Sequence, residues 1–262
     1  MTKTLDYVDT EEISFIDLQD LPKSILADAQ SPSLSDEYQF YSTVGIIKLL
    51  LSKGWKIFEA SAQKSKKPYS KHMVTFYHPD VMTKDGSYIN IVLFNGHDGK
   101  SALRLYLGIL KSFCWNGLIV GSAFEFYRSV HRYTTYTDIE AAIEAFPKKA
   151  KNFALFIPKW QDFKLSNKEQ EDFAIEAASL RWENPVPYMY KSLLNNIRRQ
   201  EDAKDDLWTL FNRIQENLLR SYRTIDNKGK RKGIRGISSV SRRLEINTKL
   251  FDVAHRMYVK GS

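Results

Sequence analysis

Nine basic residues stand between Arg220 and Arg243: Arg220, Arg223, Lys228, Lys230, Arg231, Lys232, Arg235, Arg242 and Arg243. Asp226 is the one acid among them, so the stretch carries +8, equal to the formal net charge of the whole chain. A chain tuned only for solubility scatters its excess charge. Here a neutral body carries one cationic segment, the pattern expected of a polyanion binder. Gly229, Gly233, Gly236, Ser238, Ser239 and Ser241 are interspersed with the cations. That composition reads as a strand or loop that orders on phosphates, with binding driven by counterion release. A solvated loop without a partner is the plainer alternative, and the charge balance of the remaining chain argues against it. No leucine or aromatic face accompanies these charges, so a membrane surface is the poorer partner.

A second group surrounds the alternating stretch Phe124–Tyr133. Arg104, Arg128 and Arg132, with Trp115, Tyr127, Tyr133 and Tyr136, interleave guanidinium and aromatic side chains. On an exposed sheet face such a set stacks bases and holds phosphates. Taken one at a time, each aromatic is more simply read as core.

Signs of covalent chemistry are sparse. His97-Asp98 sits between Gly96 and Gly99, but no second His or Cys stands at ligand spacing for a metal. A turn in which Asp98 accepts backbone hydrogen bonds is the better reading. Cys114 has no evident His partner and reads as core. No GxxxxGK[ST] loop is present. The carboxylate pairs Glu11/Glu12 and Asp205/Asp206 lie at chain or helix starts, where acids oppose the helix dipole. The residues therefore imply neither enzyme nor metal nor cofactor.

The elements that must position these residues fall into two halves. Residues 1–34 read as an irregular lead broken by Pro22 and Pro32, and 35–262 as a single α+β domain. Ser35 is a candidate N-cap, and Phe40, Val44, Ile47 and Leu51 predict a helix over about 36–53, closed by Gly54. Strands are predicted at Met73–His78, Tyr88–Phe94, Leu103–Leu107 and Phe124–Tyr133. Asp85-Gly86 and Asn116-Gly117 mark turns between them. The second half reads as helical. Capping boxes at Thr137-x-x-Glu140 and Ser166-x-x-Glu169 start helices over about 138–150 and 167–181. Helices follow over about 188–200, 205–222 and 242–258. The 205–222 helix is expected to bury Leu207, Phe211, Ile214 and Leu218, with Arg213 and Glu216 facing water or polar partners. The fold class is α+β: an antiparallel β-meander core covered by helices, with a helical C-terminal half.

With 262 residues, 43% of them hydrophobic and 27% charged, the chain is long and apolar enough for a substantial core. The start, MTKTLDYVDTEEISF, has no apolar signal region, and no apolar run approaches a membrane span. A single cysteine among 262 residues suits a reducing cytoplasm.

Four stretches carry a family resemblance. Phe94-Asn95-Gly96-His97-Asp98-Gly99-Lys100-Ser101-Ala102-Leu103-Arg104-Leu105 resembles an "S-H-D-G-S-x-A-L-R" segment, departing from it at Asn95-Gly96, where a Ser usually precedes the His. Cys114-Trp115-Asn116-Gly117-Leu118 resembles "C-x-N-G-L". Asp206-Leu207-Trp208 with Asn212 through Asn217 resembles a "D-L-W…N-x-x-Q-E-N" helix, and Arg235-Gly236-Ile237-Ser238-Ser239 through Asn247 an "R-G-I-x-S…N" ending. Together, over about residues 36–258, they are similar to the phage/plasmid-like domain of unknown function 932. The resemblance implies a mobile-element setting, in phage or plasmid. A meander followed by helices is also similar in outline to the annealing core of ring-forming single-strand annealing proteins, an analogy of architecture alone.

The expectation is a non-catalytic nucleic-acid-binding protein of the bacterial cytoplasm, binding or annealing single-stranded DNA in recombination as a homo-oligomeric ring or filament. Lys228–Arg235 and Arg242/Arg243, with Arg220 and Arg223, would hold phosphate, and Arg104, Arg128 and Arg132 would line a sheet-side groove. The alternative is a mobile-element accessory or anti-defence protein that binds a host protein or a nucleotide messenger.

Overall fold

Five consecutive strands pair antiparallel in chain order: β1 (Lys56–Ala62), β2 (His72–Met82), β3 (Tyr88–Asn95), β4 (Leu103–Leu110) and β5 (Glu125–Ser129). The computed structural model describes residues 17–65, 67–82, 88–110, 125–132 and 135–261. The register sets Val74 opposite Leu93, Leu93 opposite Leu105 and Leu105 opposite Tyr127. Since strand side chains alternate, Val74, Phe76, Ile91, Leu93, Leu103 and Leu105 share the inner face, in the main core. Met73, Val92, Phe94 and Tyr106 share the outer face, where they form a small second cluster with Val240 and Leu244. Residues Ile89 to Asn95 of β3 are all buried, which explains why that strand reads as one apolar run instead of an alternation. The turn expected at Asp85-Gly86, and Cys114, Trp115 and Asn116-Gly117, lie outside the described residues.

Seven helices are described: α1 (Thr43–Ser52), α2 (Tyr136–Ala154), α3 (Phe156–Asp162), α4 (Asn167–Ser179), α5 (Pro187–Asn195), α6 (Leu207–Leu219) and α7 (Val240–Gly261). The C-terminal half is helical apart from a two-stranded ribbon, β6 (Tyr222–Ile225) with β7 (Arg231–Ile234). The α+β meander with a helical C-terminal half is therefore the architecture. One apolar cluster runs from the inner face of the sheet through residues of all seven of these helices. None of these helices is long and apolar enough to cross a membrane, among the described residues.

Several element boundaries differ from the sequence reading. α1 starts at Thr43 and not near 36; its cap is Ser42, whose hydroxyl accepts from the Gly45 amide at 3.2 Å. The preceding segment is claimed by tertiary contacts: the Gln39 amide donates to the His131 carbonyl at 2.8 Å, and Tyr38 stacks on the His131 ring. Gly54 does end α1, with φ +84 and the His78 ring where a Cβ would point. The Thr137/Glu140 box is not the cap of α2. Thr135 and Asp138 take that role, with the Thr135 amide and hydroxyl donating to the Asp138 carboxylate at 2.7 and 2.8 Å. Ser166 and Glu169 form the expected box on α4. β1 and α3 carry too little periodicity to be foreseen as elements, and the cationic stretch, read as a strand or loop, contains the β6–β7 ribbon.

α6 is buried along its whole length, so of the two expected environments, water or polar partners, Glu216 has the second. Arg213 and Glu216 are 7% and 3% exposed. Its amides serve the structure. Asn217 donates to the carbonyls of Leu193 and Asn196, at 3.1 and 2.9 Å. Gln215 donates to the Asn247 side chain of α7. Asp206 caps the helix, accepting from the Thr209 amide at 2.8 Å.

Leu218 is fully buried among α6 contacts. Leu218→Ala should cost about 2–5 kcal/mol in urea unfolding. A loss near zero would contradict the central placement of α6.

Candidate nucleic-acid interface

The basic segment folds as a ribbon that Asp226 organises. Its Oδ1 accepts from the amides of Lys228 and Lys230, both at 2.9 Å, and Gly229 takes φ +75 in the turn. These amides and the nearby Lys232 hold the Asp226 carboxyl below its ordinary range. The one acid of the segment is thus spent on the turn. Lys232 approaches it at 3.8 Å, while Arg223, Lys228, Lys230, Arg231 and Arg235 have no ion pair among the described residues. All six cations are exposed. Cross-strand register sets Arg223 opposite Gly233 and Ile225 opposite Arg231. Arg223, Ile225 and Arg231 therefore share the outward face, where Ile225 is 61% exposed. Tyr222 turns inward, its hydroxyl 2.7 Å from that of Ser192 on α5, and burial raises its pKa.

The other three cations of the segment lie in ion pairs. Arg242 bonds Glu245 at 2.8 Å and the Leu180 carbonyl; Arg243 bonds Glu59 of β1 at 3.1 Å. Arg220 reaches Glu216 at 3.5 Å. Glu216, whose side chain is 4% exposed, also receives Arg198 at 3.5 Å and Arg199 at 2.9 Å. Asp202 is the second acid there, 3.1 Å from Arg199. Burial lowers the Arg220 pKa, opposed by Glu216 and reinforced by Arg198 and Arg199. Three guanidiniums share two carboxylates at the root of the ribbon, which leaves the root cationic as well. Arg198 and Arg199 stand outside the charge window; their adjacency is the one sequence signal that marks them. Arg181 fastens the root by donating to the carbonyls of Leu218 and Arg235.

Between α5 and the ribbon lies a cleft of about 490 Å³, bordered by Tyr188, Lys191, Asn195, Asn196, Arg223 and Asn227. Across the molecule, Arg104 and Arg128 face each other directly on β4 and β5. Both line a cavity of about 710 Å³ between the outer sheet face and α7. The loop Gly99–Ala102 lines it too, so the first of the four family-like stretches converges there. Arg132 is not part of this cavity; it pairs with Glu37 at 3.0 Å. Of the interleaved aromatics, Tyr127 packs against the main core, and the Tyr136 hydroxyl accepts from the Ser42 amide at 2.9 Å. Trp115 and Tyr133 lie outside the described residues.

His97 belongs to a buried polar layer closing one end of the main core. The Thr43 hydroxyl lies 2.8 Å from His72 Nε2 and 3.3 Å from His97 Nε2, and accepts from Asn95 Nδ2 at 3.0 Å. His72 Nδ1 faces the Ser70 carbonyl at 2.9 Å and so carries its proton. Thr43 then donates to His72, and His97 donates to Thr43 through Nε2. That leaves His97 Nδ1 as a buried acceptor without a partner among the described residues. His131 donates from Nδ1 to the Gln39 carbonyl at 3.0 Å, leaving Nε2 equally alone. Burial lowers the pKa of His72 to about 4. Burial, reinforced by His72 and His131, lowers that of His97 to about 3. Burial lowers His131 as well. Asp98 accepts from the Lys100 amide at 3.0 Å, as a turn residue should. No group of three or more His, Cys, Asp or Glu side chains able to hold a metal occurs among the described residues.

A family model described as "Domain of unknown function (DUF932)" matches residues 32–244. Two proteins of Escherichia coli (strain K12), UPF0380 protein YafZ and UPF0380 protein YfjQ, are each similar to this chain at 27% identity over 245 residues. Each match covers 89% of this chain and 87% of the relative. No solved structure matches the chain.

The neutral histidines make folding acid-sensitive. Unfolded, each titrates near 6.5; folded, His72 and His97 resist protonation down to about 4 and about 3. Below the unfolded value the unfolded chain binds more protons, so stability present above pH 6.5 falls as pH drops through the folded values. At pH 5 each of these two histidines should remove about 2 kcal/mol relative to pH 7.5, read from urea midpoints. His131→Asn keeps a residue tolerant of the positive φ of 61 there and should shallow that pH dependence. Equal midpoints at pH 7.5 and pH 5 would contradict the neutral layer.

Proposed function

The chain belongs to the family described as Domain of unknown function (DUF932), and from that premise we propose that it is a non-catalytic nucleic-acid-binding protein holding single-stranded DNA on its β6–β7 ribbon. One observation carries the reading: five exposed cations without ion pairs among the described residues stand around a single acid that the turn already uses. Cations so placed repel one another, and a phosphate backbone relieves that repulsion while releasing its own condensed counterions. Arg198, Arg199 and Arg220 extend the positive surface to the ribbon root. The cleft beside α5 favours a single strand over a duplex. Its Tyr188 ring and its amides at Asn195, Asn196 and Asn227 suit an unstacked base, while Lys191 and Arg223 suit the adjoining phosphates. Binding by long flexible side chains to backbone is sequence-tolerant and leaves other bases open for pairing, as annealing requires. In this proposal the protein works in recombination for a phage or plasmid, in the bacterial host cytoplasm, as an oligomer that extends the positive surface.

The test is a salt titration of oligonucleotide binding followed by fluorescence anisotropy. About five phosphates neutralised on a single strand should give a slope of log affinity against log salt near −3.5. Replacing Lys228, Lys230, Arg231, Lys232 and Arg235 by Ala should flatten the slope and leave the circular dichroism unchanged, since the ribbon tip contributes nothing to the main core. An unaltered slope and affinity in that variant would remove the ribbon from the interface. Absence of binding to any nucleic acid at low salt would remove the reading altogether.

A further inference from the structure

The cavity between the outer sheet face and α7 is built differently from the ribbon, and we infer that it is a nucleotide site. Its charges are unevenly matched. Glu125 lies 3.6 Å from Arg104, and Glu245 is bonded by Arg242 at 2.8 Å and Lys249 at 2.7 Å. Lys71, Lys100 and Arg128 line the same cavity and have no ion pair among the described residues. Three uncompensated cations around one concavity suit a multiply charged anion, and a phosphoryl chain is the ligand chemistry with that charge density.

The rest of the lining is not what a simple phosphate needs. Phe94, Tyr106 and Leu244 belong to one small cluster, separate from the main core, and form an apolar wall of the cavity. Ser101 also lines it, and its hydroxyl is buried without a hydrogen-bond partner. Unsatisfied buried hydroxyls are uncommon, and one beside a cavity has a natural partner in a ligand. An apolar wall, and a hydroxyl and three cations without partners among the described residues, around about 710 Å³, match the parts of a nucleotide: a base, a sugar or base edge, and phosphates. Arg104 is fixed by the Tyr106 hydroxyl at 3.0 Å, which orients the cavity floor instead of reaching for ligand.

The same chemistry is available from a free nucleoside phosphate or from one nucleotide of a bound strand. The inference does not depend on the ribbon reading, and calorimetry with ATP, adenosine and inorganic tripolyphosphate tests it directly. ATP should bind saturably, with adenosine and tripolyphosphate each at least about tenfold weaker. Lys100→Ala with Arg128→Ala should weaken ATP by roughly tenfold or more, with the urea midpoint unchanged. The five-alanine ribbon variant should bind ATP like the wild type. If ATP displaces a labelled oligonucleotide from the wild type, the site holds a nucleotide of the strand. If both bind together, it holds a free nucleotide. No saturable ATP binding, tripolyphosphate binding as tight as ATP, or an unaffected Lys100/Arg128 variant would each overturn the inference.

Discussion

A helix enclosed on all sides needs partners for the polar groups it carries, and the amides and the carboxylate of α6 set that constraint for the C-terminal half. All thirteen of its residues are buried, among them Asn212, Arg213, Gln215, Glu216 and Asn217. Leaving such groups unpaired costs a few kcal/mol each, so the surrounding chain is arranged to meet them. α5 ends where Asn217 can reach the Leu193 and Asn196 carbonyls, and α7 supplies Asn247 to Gln215. The arginines 198, 199 and 220 gather on Glu216. A buried carboxylate is tolerable only with such counter-ions, and three of them over-answer the charge. The positive root of the ribbon follows from the demands of α6.

A second buried polar layer performs a comparable task at the end of the sheet. Thr43, the first residue of α1, joins His72 of β2 to His97, and Asn95 of β3 to both. The segment 38–41 then lies over His97 and His131, with Tyr38 and Phe40 against their rings. His131 holds a left-handed φ of 61, a backbone conformation that ordinary side chains resist. The stack on Tyr38 and the bonds to Gln39 offset that strain. These neutral imidazoles tie the chain preceding α1 to the sheet without any charge entering the core.

The two polar layers differ from the ribbon in one respect. Inside the core, Glu216 and the buried histidines are bonded by groups from other elements. On the ribbon, the turn absorbs the single carboxylate and the cations are left to solvent. Sorting by partner, and not by sequence position, divides the nine basic residues. Arg242 pairs with Glu245 within α7 and bonds the Leu180 carbonyl, Arg243 ties α7 to Glu59 of the sheet, Arg220 pairs with Glu216 of α6, and six remain outward.

What could be read from the chain alone was what local spacing determines. The β-meander follows from strand alternation in Leu103–Leu107 and the apolar run of Tyr88–Phe94, because neighbouring side chains must face opposite sides of a sheet. The Ser166/Glu169 cap and the Gly54 stop are likewise local, each complete within a few residues. The cationic segment and its glycines were equally plain. Tertiary structure decided the rest. Residues 36–42 have a helical pattern, yet their backbone and rings go to His131 and His97, which lie more than fifty positions away in the sequence. Arg213 and Glu216 look like a solvent face because charge ordinarily seeks water, and only a chain folded around α6 brings the arginines that answer Glu216 and sets Asp202 and Asp206 near Arg213. Arg104 and Arg128 could be named but not joined; the β4–β5 register sets them opposite each other, and α7 closes the cavity above them. Pairing across strands and ion pairs between distant segments depend on which surfaces meet, and that is a property of the packed chain.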